Sequence, residues 1–214
     1  MPALIAGATG LVGRELARHW TGPGELLMLL RKPAKAPAGP RLRPMQVDFT
    51  TLPDLPAAHE AYCCLGTTIA QAGSKAAFRA VDFDAVLAFA KAARRAGVRH
   101  FGLVSALGAN SGASGFYARV KGEAEEALAT LGFDSLTFAR PSLLAGDRGA
   151  LDQPPRRGER LGLALALPLG RLVPAAWRPI QAAFVARALL RAVREGRPGR
   201  RVLTSSEMQT LGAP

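Results

Sequence analysis

Aromatic side chains make up only 6% of this 214-residue chain, which has two cysteines and three histidines. No zinc motif can be drawn from so few ligands, and His19, His59 and His100 pair with no nucleophile or metal ligand in the sequence. Cys63 and Cys64 are adjacent in an apolar stretch, poorly placed to bridge each other, and read as packing residues of a strand. No apolar run approaches the ~18 residues that span a bilayer, so no transmembrane segment is expected. The opening Met1-Pro2-Ala3-Leu4-Ile5-Ala6 lacks the charged region and cleavage site of a signal peptide. A reduced, cytoplasmic protein is the simplest reading of these absences.

Acidic residues are also scarce, 16 against 28 lysines and arginines, for a formal charge of +12. The arginines gather in the last third: Arg156, Arg157, Arg160, Arg187, Arg191, Arg194, Arg197, Arg200 and Arg201. No helix-turn-helix or RNA-binding motif accompanies them, and few aromatics are present to stack on bases. The excess is read as solvation of arginine-rich helices, with a share left for an anionic ligand. Specific nucleic-acid binding is not expected.

Nearly half the residues are apolar, so one sizeable domain with its own core is expected. Short apolar runs alternate with helical periodicity. Strands are expected at Ala3–Ala6, Glu25–Leu30, Pro44–Val47, His59–Leu65, Val98–Ser105 and Ser135–Ala139. Helices are expected from about Gly10 to Trp20, from Ala76 to Ala96 closed by Gly97, and from Ser114 to about Leu131 closed by Gly132. Six strands alternating with helices imply an α/β fold, a doubly wound parallel sheet covered on both faces. After Pro141 the order loosens up to Pro179, where a last helix to Glu195 and a strand near Arg201–Thr204 return to the sheet. The chain therefore reads as a single domain over 1–214. Its parts are a nucleotide-binding core over 1–142, a small substrate-side lobe over 143–179, and the returning segment over 180–214.

The junction of the first strand and first helix carries Gly7-Ala8-Thr9-Gly10-Leu11-Val12-Gly13. Glycines there permit a tight turn and bring the backbone close to a pyrophosphate seated on the helix N-terminus, and Gly13 lets helix and strand pack closely. The spacing is Gly-x-x-Gly-x-x-Gly, unlike the Gly-x-Gly-x-x-Gly of the commoner dehydrogenases. The second strand ends in Arg31-Lys32, with Lys35 close behind, where an acidic residue would bind the ribose hydroxyls of NAD. A guanidinium suits a 2′-phosphate, so NADP(H) is expected over NAD(H). Asp48, at the end of the third strand, is either an acceptor for the adenine amino group or an ordinary turn aspartate.

Tyr117 and Lys121 stand four residues apart, on one face of the Ser114–Leu131 helix. A phenol is a poor acid or base at neutrality, and a nearby ammonium favours its ionised form. Such a pair can pass a proton to or from a substrate oxygen.

The glycine loop, Ser105 at the end of the fifth strand and Tyr117-x-x-x-Lys121 together resemble the short-chain dehydrogenase/reductase superfamily. Finer runs narrow the resemblance: Cys64-Leu65-Gly66-Thr67-Thr68, Val81-Asp82-Phe83-Asp84, Tyr117 to Glu123, and Arg140-Pro141-Ser142-Leu143-Leu144 followed by Asp147-Arg148. These are similar to the atypical branch that holds the Tat-interacting-protein-like oxidoreductases and the epimerase-dehydratases. The resemblance implies a Rossmann fold, with Tyr117 as proton donor or acceptor, Lys121 tuning Tyr117 and holding the nicotinamide ribose, and Ser105 hydrogen-bonding the substrate oxygen. It implies that Thr9, Gly10, Leu11 and Val12 contact the pyrophosphate, Arg31 and Lys32 the 2′-phosphate, and Leu65 and Gly66 the adenosine side. Leu144 is placed near the nicotinamide. Many relatives carry an asparagine in the helix after the fourth strand, supporting a proton relay; Asp82 stands there instead.

Two functions follow as expectations. One is an NADP(H)-dependent oxidoreductase acting on a carbonyl or alcohol. Its substrate is a small molecule, selected by the short piece between Leu143 and Trp177. The apolar run Leu161–Leu169 in that piece reads by default as buried packing, and otherwise as a hint of a hydrophobic substrate, a partner surface or an interfacial segment. The other is an NADP(H)-binding regulator or sensor with little turnover. A monomer and a homodimer both fit.

Overall fold

The structure, a computed structural model, describes residues 1–33, 36–145 and 177–213. Its centre is a seven-stranded parallel sheet. In chain order the strands are β1 (Ala3–Ala6), β2 (Leu26–Leu30), β3 (Leu42–Gln46), β4 (Glu60–Cys63), β5 (His100–Val104), β6 (Ser135–Arg140) and, after a short pair, β9 (Gly199–Thr204). Their spatial order is β3-β2-β1-β4-β5-β6-β9, so the order reverses between β1 and β4, the switch point of a Rossmann fold. The register across it pairs Ala6 with Cys63 and Ile5 with Tyr62.

The strands read as unbroken apolar runs because both faces are covered. Ile5, Met28 and Tyr62 point into one core with α1 (Leu11–Arg18) and α6 (Ala182–Glu195). Leu4, Ala6, Leu29 and Cys63 point into the other, against α4 (Val86–Arg95) and α5 (Phe116–Ala129). On α1 the buried residues are Val12, Gly13, Leu16 and Ala17, one stripe at helical spacing. The expected fold class is therefore borne out, and β9 is the returning strand expected near Arg201–Thr204.

Several elements differ from the sequence expectation. β3 begins two residues early and lies at the sheet edge, where Pro44 removes no ladder hydrogen bond that the sheet needs. Between β4 and the long helical pattern lies one helical turn to which the sequence assigned no element, α2 (Ile69–Ala72), capped by Thr68, whose hydroxyl accepts from the Gln71 amide. The long helix expected over 76–96 is broken into α3 (Lys75–Arg79), a π-helical turn over Ala80–Ala85, and α4. The wide turn changes the helical phase and sends Asp82 into the interior, where it is 1% exposed. A short parallel pair, β7 (Leu144–Ala145) with β8 (Ile180–Gln181), brackets the span between them. Most of the lobe expected over 143–179, including Asp147, Arg148, Arg156 and the Leu161–Leu169 run, lies outside the described residues, as does Lys35.

The chain ends in a helix the sequence reading did not anticipate, α7 (Ser205–Leu211). Its signal was present as Thr204-x-x-Glu207, a capping box in which the Thr204 hydroxyl accepts from the Glu207 amide and the Glu207 carboxylate accepts from the Thr204 amide at 2.7 Å. Those bonds hold the Glu207 carboxyl below its ordinary range. A depressed carboxyl stabilises the fold above its unfolded value and loses that contribution as pH falls through the folded one. Thr204→Ala is expected to lower stability by about 1 kcal/mol at neutral pH. In urea unfolding the difference should shrink once Glu207 is protonated in acid.

Candidate active site

One cleft of about 630 Å³ opens over the carboxyl ends of β1, β4 and β5. Its floor is the glycine loop. Gly7 has φ +86°, and a Cβ there would lie 2.4 Å from the backbone of Cys64, so only glycine lets β1 and β4 come this close at the switch point. A Cβ on Gly13 would meet the Gly7 carbonyl oxygen at 2.1 Å, so this residue serves the packing of α1 on the loop and does not line the cleft. Gly10 caps α1 with no side-chain partner for the first-turn amides, and Gly7, Thr9, Gly10, Leu11 and Val12 all border the cleft. Exposed amides at the start of a helix, facing a space walled by glycine, suit the pyrophosphate of a dinucleotide.

The other expected residues divide. Arg31, Leu65, Gly66, Ser105, Tyr117, Lys121 and Leu144 join the glycine loop in lining this cleft. Lys32, one residue beyond Arg31, is exposed and does not. Neither does Asp48: its carboxylate accepts from the Thr50 amide and hydroxyl at 2.8 Å each, and these bonds hold it below the usual range. Asp48 thus serves its own turn, and Phe49 reaches the cleft in its place. The step from Asp48 to Phe49 is invisible to spacing arguments because it depends on how the chain turns after β3. Cys64, Thr67 and Val81, which the sequence placed in motif runs without giving them a role, also line the cleft.

Ser105, just past β5, donates its amide to Ala139 on β6 at 2.8 Å and is 5% exposed. Its hydroxyl is buried with no hydrogen-bond partner among the described residues. A buried donor left unmatched costs about 1–3 kcal/mol. A carbonyl or hydroxyl oxygen entering the cleft would satisfy it. Tyr117 stands in the first turn of α5, 39% exposed, its ring 5.4 Å from that of Phe78. One turn on, Lys121 is almost fully buried.

Lys121 is not the free ammonium that the Tyr-x-x-x-Lys spacing suggests. Its Nζ lies 2.7 Å from Asp82 Oδ1, and both side chains are buried. The second carboxylate oxygen of Asp82 accepts from the Thr67 amide at 2.9 Å, tying the π-turn to the loop after β4. Burial works hardest against the Lys121 charge, but the Asp82 carboxylate, Tyr117 and Cys63 outweigh it and leave its pKa above the ordinary lysine value. Cys63, beneath the pair, is pushed up to about 12 by burial and is an inert thiol. A second buried carboxylate, Glu125, receives Arg140 Nε at 2.9 Å and Nη2 at 2.5 Å. Through it the end of β6, just before Pro141, is fastened to α5.

Comparison with known proteins agrees with this geometry. A family profile described as NAD(P)H-binding matches residues 7–161. The mitochondrial protein FMP52 of Eremothecium gossypii is 33% identical over 178 residues, covering 81% of this chain and 77% of that protein. FMP52 of Candida albicans is 28% identical over 211 residues, covering 92% and 89%. Protein HTATIP2 of Rattus norvegicus is 41% identical over 119 residues, 54% of this chain and 47% of that one. Among solved structures, MoeE5 in complex with UDP-glucose and NAD superposes with a TM-score of 0.72 at 18% identity, covering 95% of this chain and 75% of that chain. The oxidoreductase ylbE of Lactococcus lactis superposes with a TM-score of 0.63 at 18% identity, covering 99% and 96%. These two likenesses concern the fold alone. The cytoplasmic location expected from the sequence is corrected: the relatives matched over most of the chain are named as mitochondrial. The physical reason is that unpaired thiols report a reducing environment without specifying a compartment. Among the described residues no helix is long and apolar enough to cross a membrane.

Proposed function

Because this chain belongs to the NAD(P)H-binding family, we propose that it is an NADP(H)-dependent oxidoreductase that interconverts a carbonyl and an alcohol, with Tyr117 as acid or base. One observation carries the reading: Ser105, Tyr117 and Lys121 line the same cleft as the glycine loop, and the Ser105 hydroxyl is buried without a partner among the described residues. A protein that only sensed the nucleotide would need the glycine loop and Arg31, but no unmatched hydroxyl beside a phenol.

The cofactor supplies the hydride exchange when bound. The chain's own groups do the rest. The first-turn amides of α1 would hold the pyrophosphate, and Arg31, which lines the cleft, would hold the 2′-phosphate. Ser105 orients the substrate oxygen, and Tyr117 Oη exchanges a proton with it. Lys121 carries hydrogen-bond donors for the ribose on the side away from Asp82. A small-molecule substrate fits the cleft volume. The division into a cofactor-binding core over 1–142, a substrate-side lobe over 143–179 and a returning segment over 180–214 belongs to the same proposal.

An NADPH-consumption screen over aldehydes, ketones and quinones tests the reading. Turnover of at least one carbonyl is expected, and its absence across the panel would return the chain to the sensor class. The cofactor preference has its own test. A charge-assisted hydrogen bond to phosphate contributes about 1.5–3 kcal/mol, so Arg31→Ala should weaken NADPH binding by about 10- to 100-fold and leave NADH nearly unchanged. A fluorescence titration with both nucleotides reads the difference, and an unaltered preference would remove Arg31 from the phosphate site.

A further inference from the structure

Resting on that reading of the site, we propose that Asp82 is a positioning residue that fixes the Lys121 ammonium and cancels its charge, so that Tyr117 faces the substrate as a phenol and proton donor.

The geometry leads there in three steps. First, the π-turn over Ala80–Ala85 exists in the one part of the helix that must deliver a carboxylate inward, and Asp82 is its buried residue. Second, both carboxylate oxygens have a neighbour: Oδ1 is ion-paired with Lys121 Nζ at 2.7 Å, and Oδ2 accepts from the Thr67 amide at 2.9 Å. It therefore holds the lysine, the loop after β4 and the helix in one unit. Third, the pair is buried, and opposite charges in contact present almost no net charge to a neighbour one helical turn away. A lone ammonium pulls a phenol toward its ionised form, whereas a neutral pair pulls far less.

The other charged groups packed around α5 are held elsewhere or lie against an aromatic ring, and Arg31 lines the same cleft from the end of β2. On α5, Glu125 is taken by Arg140 and Glu123 by Arg79, which reaches over from α3. Lys75, also on α3, and Arg119 on α5 lie over the Phe116 ring, 5.4 and 5.8 Å from its centroid. From β4 the nearest titratable group is Cys63, which stays a thiol. From β5 comes Ser105, which carries no charge. The proton balance is simple: Tyr117 Oη gives its proton to the substrate oxygen, and solvent returns one to the phenolate. This is the arrangement of a carbonyl reductase more than of an alcohol oxidase, which would need the phenolate first.

The chain has two tyrosines, and burial together with Glu60 pushes Tyr62 well above the ordinary phenol range. Tyrosinate absorbance of the cofactor-free protein, followed against pH with Tyr117→Phe as the reference, isolates the Tyr117 signal. Relative to wild type, Asp82→Asn should move the midpoint down by about one unit or more, and Lys121→Met should move it up. The double variant, a neutral pair again, should return close to wild type. A merely structural role for Asp82 would leave these midpoints together, and coincident midpoints overturn the proposal. Should Asp82→Asn fail to fold, the comparison of Lys121→Met with the double variant decides: a higher midpoint in the single variant supports charge cancellation, and equal midpoints refute it. The titration uses neither cofactor nor substrate, so a failed carbonyl screen and a failed titration are separate results.

Discussion

Tyr117→Phe lowers carbonyl turnover by about 10²- to 10⁴-fold, the range lost when a positioned general acid is removed. The substitution deletes one oxygen. The ring stays 5.4 Å from Phe78, where its packing depends on carbon atoms alone. The helix around it is anchored independently by the Asp82–Lys121 and Glu125–Arg140 pairs. Stability should therefore change little for a side chain already 39% exposed. Nucleotide binding, which the proposed function assigns to the glycine loop and Arg31, should stay within a few-fold of wild type. The check pairs steady-state NADPH consumption with a binding titration on the same preparation. A variant that keeps more than about a tenth of wild-type turnover with intact binding would exclude Tyr117 as the acid. The distinction matters because a lost fold and a lost proton donor both abolish activity, and only the second leaves the nucleotide bound.

Lys121→Met destabilises the fold by about 3–5 kcal/mol, since it leaves the Asp82 carboxylate buried and unpaired. Methionine fills a similar volume, so packing alone explains little of such a loss. Adding Asp82→Asn to the same variant removes the stranded charge and should restore most of the stability, because the amide can still accept from the Thr67 amide. Urea unfolding of the wild type, single and double variants reads the coupling directly. The pH dependence has a definite sign. Burial opposes the Lys121 charge first, but Asp82 and Tyr117 leave its folded pKa above the unfolded value of 10.5. A raised basic group contributes fully below its unfolded value and is lost as pH rises through the folded one. The wild type should therefore lose stability in strongly alkaline solution more steeply than the double variant, and the two curves should run parallel through neutrality. Parallel curves into the alkaline range would mean that the pair contributes nothing to the fold.

Much of this was legible along the chain. Ala3–Ala6, Leu26–Leu30 and Ser135–Arg140 are apolar runs that fit strands covered on both faces, and the glycine loop marks the turn between β1 and α1. Ser105, Tyr117 and Lys121 could be placed because their spacing fixes which strand end and which helix face they occupy. Other features resisted such reading. The helical pattern of residues 76–96 gives no sign of the π-turn, because one extra residue per turn changes the phase without changing composition. Asp48 looked like a ligand for adenine because it ends a strand; its own loop claims it through Thr50. Lys32 and Arg31 look equivalent in sequence, yet only Arg31 lines the cleft, since adjacent side chains leave the strand end in different directions.

Periodicity, capping and turn chemistry act over a few residues, so the alternation of strand and helix, the glycine loop and the helix that carries Tyr117 are written locally in the chain. Which charges meet is settled only by packing. Asp82 and Lys121 are 39 positions apart and on different elements, and Glu125 and Arg140 likewise join helix to strand. Whether an ammonium is free or cancelled depends on what the packing brings within a few ångströms of it, and that distance is set by the sheet order and the π-turn together.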